Sequence, residues 1–450
     1  MDFNPAGKKL FWVIAIALGA RVILAAVYSP QIWPETERYM TIAQRFVSGD
    51  FNGYLGKNVP FYSFLIIATG FNYQLLFILQ LAMGVAISVF VYFIFLRLTR
   101  SERLGFFAAV AYALNPGQLL FEAAYIPEIV CTFWLSLLVF LMVEMVAGNI
   151  AERWWSYFLL GLVSVVCLLT RPHYQFVPAL LVLFVLWRWR KQKLRALLFA
   201  LSLIIPVSAG LGPWLTFQHK HAGKASITTH LGVTLMYHTM AFIEHAPDKY
   251  DEVRQILLDE REAYLRDSGL FYGAVEAVIP EIMDKTGMSY AQVDSTYLEM
   301  ARETIMLRPV LYAGSFIRAT ARFFKPTWYS KNFGIRVVVA KGKLAARIAA
   351  VLYAALHMSL VAVFLVFPLL ALLNNKYRPK GLLDIRVTFI YSLIWIAAFI
   401  QAVLVLGENN RFRTSVEPYI LGLAVWFVAI MVHSLFKKTG RLDPGDGSNT

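Results

Sequence analysis

Two short acidic stretches stand beside long apolar runs. The first reads Trp33-Pro34-Glu35-Thr36-Glu37-Arg38-Tyr39. Proline presets the helical φ and carboxylates favour a helix N-terminus, so this is a helix start. Glu35 and Tyr39, four apart, share a face, and Glu37 points elsewhere. The second runs from Asn115-Pro116 through Glu122 to Pro127-Glu128, with Glu128 directly ahead of an apolar run. A carboxylate at the mouth of a membrane span is costly unless it is paired or working. Two carboxylates from separate outer loops could deprotonate a hydroxyl, hold a cationic group, or mark a cation path through a transporter. Helix capping is the plainer reading of Glu35 taken alone.

Cations accompany these acids. Thr170-Arg171-Pro172-His173 offers a guanidinium to a phosphate or to a loop carboxylate, and Lys57, near Pro60, has the same two roles open. His221 and His230 fit no zinc-ligand spacing. Cys131 and Cys167 both fall in apolar runs, indicating neither a disulfide framework nor a metal site. A divalent cation stays open, because two carboxylates are only part of an oxygen-ligand set. No glycine-rich phosphate loop precedes a soluble helix, which disfavours a nucleotide-driven pump.

The elements that position these residues are membrane spans. Of 450 residues, 58% are hydrophobic and 16% charged, with mean hydropathy +0.58. A typical soluble domain is about 45–50% apolar and about 25% charged. A soluble globular protein, a disordered chain and a small disulfide scaffold are excluded. The formal charge of +14 points to lipid headgroups rather than nucleic acid.

Runs of spanning length cover 10–28, 72–96, 104–121, 129–143, 154–170, 172–187, 196–218, 348–375, 387–407 and 418–436, the first interrupted only by Arg21. Lys8 and Lys9, then Arg97 to Arg103, Arg188 to Arg195, Lys376 to Lys380 and Lys437 to Arg441 all fall on one side of a ten-span chain. By the positive-inside rule that side is cytoplasmic, as are both termini, and the first span is a retained anchor. This gives a module over 1–215 with an outer loop at 29–60, an outer helical subdomain with a basic interfacial segment over 216–347, further spans over 348–436, and a polar cytoplasmic tail over 437–450. The subdomain is acidic: Glu244–Glu303 holds fourteen acids against six bases, and 251–266 is amphipathic. The following 308–347 carries nine Lys or Arg and no acid, and 316–326 reads as an interfacial helix.

In the order of these motifs the chain resembles the integral-membrane glycosyltransferases of the GT-C superfamily, in particular the aminoarabinose transferase and protein O-mannosyltransferase branch. The resemblance rests on Glu35-Thr36-Glu37-Arg38-Tyr39 followed by Ile42-Ala43 and Gly49, on Pro60-Phe61-Tyr62, on Asn115-Pro116 with Glu128, on Leu169-Thr170-Arg171-Pro172, on Pro213-Trp214, and on Arg411-Phe412-Arg413. It covers residues 10–230 well and the remainder through hydropathy and short motifs. It implies an all-α polytopic bundle with interfacial helices and an inverting transfer of sugar from a polyprenyl-phosphate donor. The acceptor would be a lipid, a glycan or a protein, at the outer face of a bacterial inner membrane. Glu35 stands where that family has an aspartate acting as, or supporting, the base, one methylene longer here. Glu128 is the second acid. Lys57, Arg171, Arg411 and Arg413 are candidates for the lipid phosphate, with Tyr39, Glu37, Glu122 and His173 in support. Rival readings are a secondary transporter, which should show inverted repeats and polar broken helices, and a non-catalytic part of a polysaccharide-assembly system.

Overall fold

A computed structural model of the chain describes residues 5–268, 271, 273–326, 343–373 and 384–438. The described residues are largely helical, and the only β pairing among them is an isolated parallel bridge between Gln31 and Ala124. The chain is an all-α, multi-pass integral membrane protein, as its hydropathy predicts.

Helix α1 (Pro5–Val27) leads to the first outer loop, which carries α2 (Pro34–Ser48) and α3 (Phe61–Ala68). Then come α4 (Tyr73–Thr99), α5 (Glu102–Ala113), α6 (Pro116–Glu122), α7 (Glu128–Val146), α8 (Trp154–Thr170), α9 (Val177–Arg188) and α10 (Lys193–Ala222). The outer subdomain holds α11 (Leu231–Thr239), α12 (Asp251–Ser268), α13 (Ala274–Ala277), α14 (Ile279–Thr286) and α15 (Tyr290–Leu307), and α16 (Pro309–Phe323) leads out of it. Last are α17 (Lys343–Leu373), α18 (Ile385–Leu404), the short α19 (Asn409–Phe412) and α20 (Glu417–Lys438).

Each apolar run of the sequence corresponds to a helix or a bent pair. Among the described residues seven helices are long and apolar enough to cross a membrane: α1, α4, α7, α10, α17, α18 and α20. The run over 104–121 is instead α5 and α6, bent by 57° where Asn115-Pro116 interrupts the ladder. Helix α8 has 17 residues and α9 only 12. Helix α10 continues past residue 216 to Ala222 and ends on Gly223 in the left-handed region, so the outer connection begins there. The basic groups Lys376, Arg378, Lys380 and Arg441, most of the tail, and 327–342 of the basic segment lie outside the described residues.

Ion pairs identify the end of the bundle where the basic connections meet. Lys9 pairs with Glu102, Arg97 with Glu144 and Arg188 with Glu152, while Arg386 reaches the Arg97 carbonyl. Glu35, Glu128 and Arg171 lie at the other end of these same helices.

Arg21, the one charge in the first span, is buried with Glu122. Its side chain is 1% exposed, and that of Glu122 is 0%. Nε and Nη2 donate to the two carboxylate oxygens at 2.9 and 2.6 Å, and Nη1 donates to the carbonyls of Ala17 and Ala113 at 3.2 and 3.0 Å. Ala113 is the last residue of α5, so the guanidinium satisfies a carbonyl freed by the bend. Gly84 lies directly over the carboxylate: a Cβ there would sit 2.3 Å from Glu122 Oε2.

The spans and the outer subdomain have separate apolar cores. Val91, Phe95, Leu138 and Tyr419 belong to the first, and Val233, Leu257, Val293 and Tyr297 to the second. The subdomain core includes the buried face of α12, with Val253, Ile256 and Leu257, as its periodicity predicts.

Candidate functional site

The first outer loop is fixed to the 122–128 turn before its side chains are considered. The Gln31 N–H donates to the Ala123 carbonyl at 2.9 Å, and the Tyr125 N–H donates to the Gln31 carbonyl at 3.1 Å. The Thr36 hydroxyl donates to the Tyr125 carbonyl at 2.8 Å and accepts the Trp33 N–H at 2.9 Å. Buried Gln80, from α4, donates to the carbonyls of Glu122 and Ala124 at 2.9 and 2.8 Å. These bonds bring the start of α2 beside the start of α7, and so Glu35 towards Glu128.

Arg411, from α19, joins the two carboxylates. Its Nη2 bonds Glu35 Oε2, and its Nε bonds Glu128 Oε1, which Arg171 Nη2 also reaches. Its Nη1 lies 3.4 Å from Glu408 Oε2, a third carboxylate. The guanidinium carbon is 5.1 Å from the Trp33 ring centroid, and that of Arg171 is 5.2 Å from the Phe412 ring. Asn409 holds the turn that carries Glu408: its side-chain amide donates to the Val405 carbonyl at 2.7 Å, and its Oδ1 accepts the Gly407 N–H at 3.0 Å.

These groups border a cavity of about 530 Å³ between the bundle and the outer subdomain. Glu35, Glu408, Arg171, Arg411 and His173 line one side, while Glu128 lies behind the wall. The opposite side is built on Glu276 of α13. Its carboxylate accepts the Tyr237 hydroxyl at 2.6 Å and lies 3.6 Å from His230 Nε2, 3.6 Å from Arg38 Nη1 and 3.8 Å from Lys57 Nζ. His230 Nδ1 pairs with the Tyr290 hydroxyl at 2.7 Å, and Lys57 sits 4.5 Å above that ring. Gly56 makes the position of Lys57: it has φ 68°, and a Cβ there would fall 2.6 to 2.9 Å from Gln218, Ala222 and Thr229.

Charge balance sets the protonation states. Burial would raise Glu35, but Arg411, Arg171 and Arg38 outweigh it and bring its pKa down to about 2. Burial pushes Glu408 up, Glu35 and Glu128 add to the effect against the pull of Arg411, and its pKa reaches about 7. His173 is brought down to about 3 by burial, with Arg171 and Arg411 adding, so its imidazole is neutral. Glu276 is held well below the usual carboxylate range because His230, Arg38 and Tyr237 outweigh its burial. Burial lowers Lys57 against the opposing charge of Glu276.

The structure thus brings together Glu35, Glu128, Arg171, Arg411, Tyr39, Lys57 and His173. It places three other candidates apart. Glu37 is exposed on another face of α2. Glu122 is committed to Arg21 inside the bundle. Arg413 bonds Glu417 at 2.5 Å and the carbonyls of Phe323 and Lys325, each at 2.7 Å, and does not line the cavity. Sequence reasoning did not single out Arg38, Glu276 or Glu408 for the site. For Glu408 a signal existed, since it lies three residues before Arg411. Among the described residues no group of three or more His, Cys, Asp or Glu side chains is placed to hold a metal ion.

No family profile and no curated protein matches the sequence. The solved structures that resemble the fold include two of oligosaccharyltransferases from Archaeoglobus fulgidus. One is AglB in complex with an inhibitory peptide and a dolichol-phosphate, at 14% identity and TM-score 0.49. The other is the apo form, at 13% identity and TM-score 0.48. Each comparison covers 97% of this chain and 52% of the other, so this chain spans about half the length of those structures.

Proposed function

We propose that this protein is a GT-C-type inverting glycosyltransferase that moves a sugar from a polyprenyl-phosphate donor to a lipid, glycan or protein acceptor. The observation that carries the reading is the cavity itself, where cations and carboxylates from the first outer loop, two interhelical turns and the outer subdomain face one space. A lipid-linked sugar keeps its tail in the bilayer and its phosphate at the interface. It needs cations on the leaving phosphate and negative charge near the anomeric carbon. Lys57, Arg38 and Arg171 supply the first. Arg411 fixes the carboxylates that supply the second, and Arg413 braces the Arg411 turn from behind. Glu35, held ionised, stabilises positive charge developing on the sugar, and Glu128 orients Arg171 and Arg411. One-step displacement of the phosphate inverts the anomeric centre. The sidedness of the basic connections supports cytoplasmic termini and an outward-facing site; the membrane of this proposal is a bacterial inner membrane, crossed about ten times.

The test is to incubate the full chain, in lipid nanodiscs, with a panel of polyprenyl-phosphate pentoses and hexoses and a lipid extract. Release of polyprenyl phosphate and the anomeric configuration of the product are read by mass spectrometry and NMR. Turnover with inversion is expected, with loss in Glu35→Gln and Glu128→Gln. Undiminished turnover in both variants would refute the assigned site, and no turnover with any donor would refute the reaction class.

A further inference from the structure

Three carboxylates converge on Arg411; Arg411 and Arg171 hydrogen-bond them, and Arg38 adds an ion pair to Glu35. The contacts are unequal. Glu128 is bonded by both guanidiniums and lies behind the cavity wall. Glu35 is bonded by Arg411 and has Arg38 at 3.9 Å. Glu408 has one contact, at 3.4 Å, the outer limit of a hydrogen bond. Its side chain is 28% exposed and borders the cavity. Burial acts on it most, Arg411 from α19 pulls it towards the charged form, and Glu35 from α2 and Glu128 from α7 oppose that pull. The ionisable groups Arg38, Lys57, Arg171, His173, His230 and Glu276 also border the same cavity. Burial, with the two neighbouring carboxylates adding to it, favours a proton on Glu408 over a third full charge.

We propose that Glu408 is the general base that accepts the proton of the acceptor hydroxyl. This rests on the glycosyl-transfer reading and deepens it, because that reading leaves the base unassigned once Glu35 is tied to Arg411. In the step, the acceptor oxygen forms a bond to the anomeric carbon. The bond from that carbon to the phosphate oxygen breaks, and its electron pair leaves on the polyprenyl phosphate. The hydroxyl proton passes to the free oxygen of Glu408 and is later lost to water. A base with a pKa near the working pH is suited to this transfer, and burial places Glu408 there at about 7. Glu35, at about 2, stays charged throughout and holds a proton poorly.

The experiment compares wild type, Glu408→Gln and Glu408→Asp in nanodiscs, with the same panel of polyprenyl-phosphate sugars, across pH 5 to 9. Wild type should show a kcat limb that rises with pH around neutrality. Glu408→Gln should lose about 10²- to 10⁴-fold in kcat with little change in donor KM, and should lose that limb. Glu408→Asp should restore part of kcat and keep the limb. Independently of any donor, infrared difference spectra between pH 6 and pH 8 should show a protonated carboxyl band in wild type that is absent from folded Glu408→Gln. Active wild type with an unchanged rate and acidic limb in Glu408→Gln overturns the assignment, as does persistence of the carboxyl band. An inactive wild type that still shows the band overturns the reaction class instead.

Discussion

Arg21 and Glu122 form a buried pair beside the bend between α5 and α6, and replacing one partner should be worse than replacing both. The pair is bidentate at 2.9 and 2.6 Å with both side chains essentially inaccessible. Arg21→Met leaves Glu122 buried without its cation, a loss of about 3–5 kcal/mol. Glu122→Leu strands the guanidinium to a similar extent. The double variant removes both charges but leaves the Ala113 carbonyl unsatisfied, so it should lie about 1–3 kcal/mol below wild type. The coupling in the cycle is then several kcal/mol, far above the few tenths expected for independent sites. The assay is thermal unfolding of the four proteins in one detergent, with denaturant unfolding to convert midpoints into free energies. Additive single effects, or a loss below about 1 kcal/mol in Arg21→Met, would show that the two side chains are not coupled as their geometry implies. Turnover per folded molecule should survive in the double variant, which separates Glu122 from the carboxylates of the cavity.

Three further outcomes follow from the site. The folded pKa of Glu35, about 2, lies below its ordinary 4.5, so its contribution to stability is complete above about pH 4.5. That contribution is lost as pH falls towards 2; acid unfolding of Glu35→Gln should therefore show a smaller pH dependence there than wild type, and equal slopes would contradict the ion pair. Gly56→Ala must place a side chain at φ 68° against Gln218, Ala222 and Thr229, which should cost about 1–3 kcal/mol and displace Lys57. Donor KM should then rise more than kcat falls, and unchanged kinetics would show that Lys57 does not depend on this turn. Arg171→Lys exchanges a planar fork stacked near Phe412 for a point charge, and a loss of about tenfold or more in kcat/KM is expected. A lysine variant as active as wild type would argue that only charge is needed there.

Seven of the ten expected spans were legible in the sequence because a charge-free run of about 20 residues rarely survives in a fold surrounded by water, while the runs over 154–170 and 172–187 form helices of only 17 and 12 residues. Alternation of those spans fixes sidedness, and that placed Glu35, Glu128 and Arg171 at one end. The bend in the 104–121 run was not readable from hydropathy, although Asn115-Pro116 marks its place. Glu122 and Arg21 were both conspicuous, yet a pairing across 101 residues leaves no local pattern. Glu276 was hidden in a segment with many acids, where one carboxylate cannot be told from its neighbours until the fold brings Arg38, Lys57 and His230 to it. Glu408 and Arg411 share one turn, but the state of Glu408 depends on Glu35 and Glu128, which arrive from distant parts of the chain.

Arg38, Lys57, Arg171 and Arg411 each face at least one of Glu35, Glu128, Glu276 and Glu408. The resting cavity therefore carries its own competitors for every cation an anionic guest would use. In the proposed transfer, a lipid phosphate would have to displace these internal carboxylates, which would weaken its hold. Once the sugar had been transferred, the carboxylates would reclaim their partners as the phosphate left, with no charge stranded. On that reading the arrangement would trade tight donor capture for clearance of the spent lipid carrier, with turnover set by exchange of partners at the cations as much as by the bond broken between them.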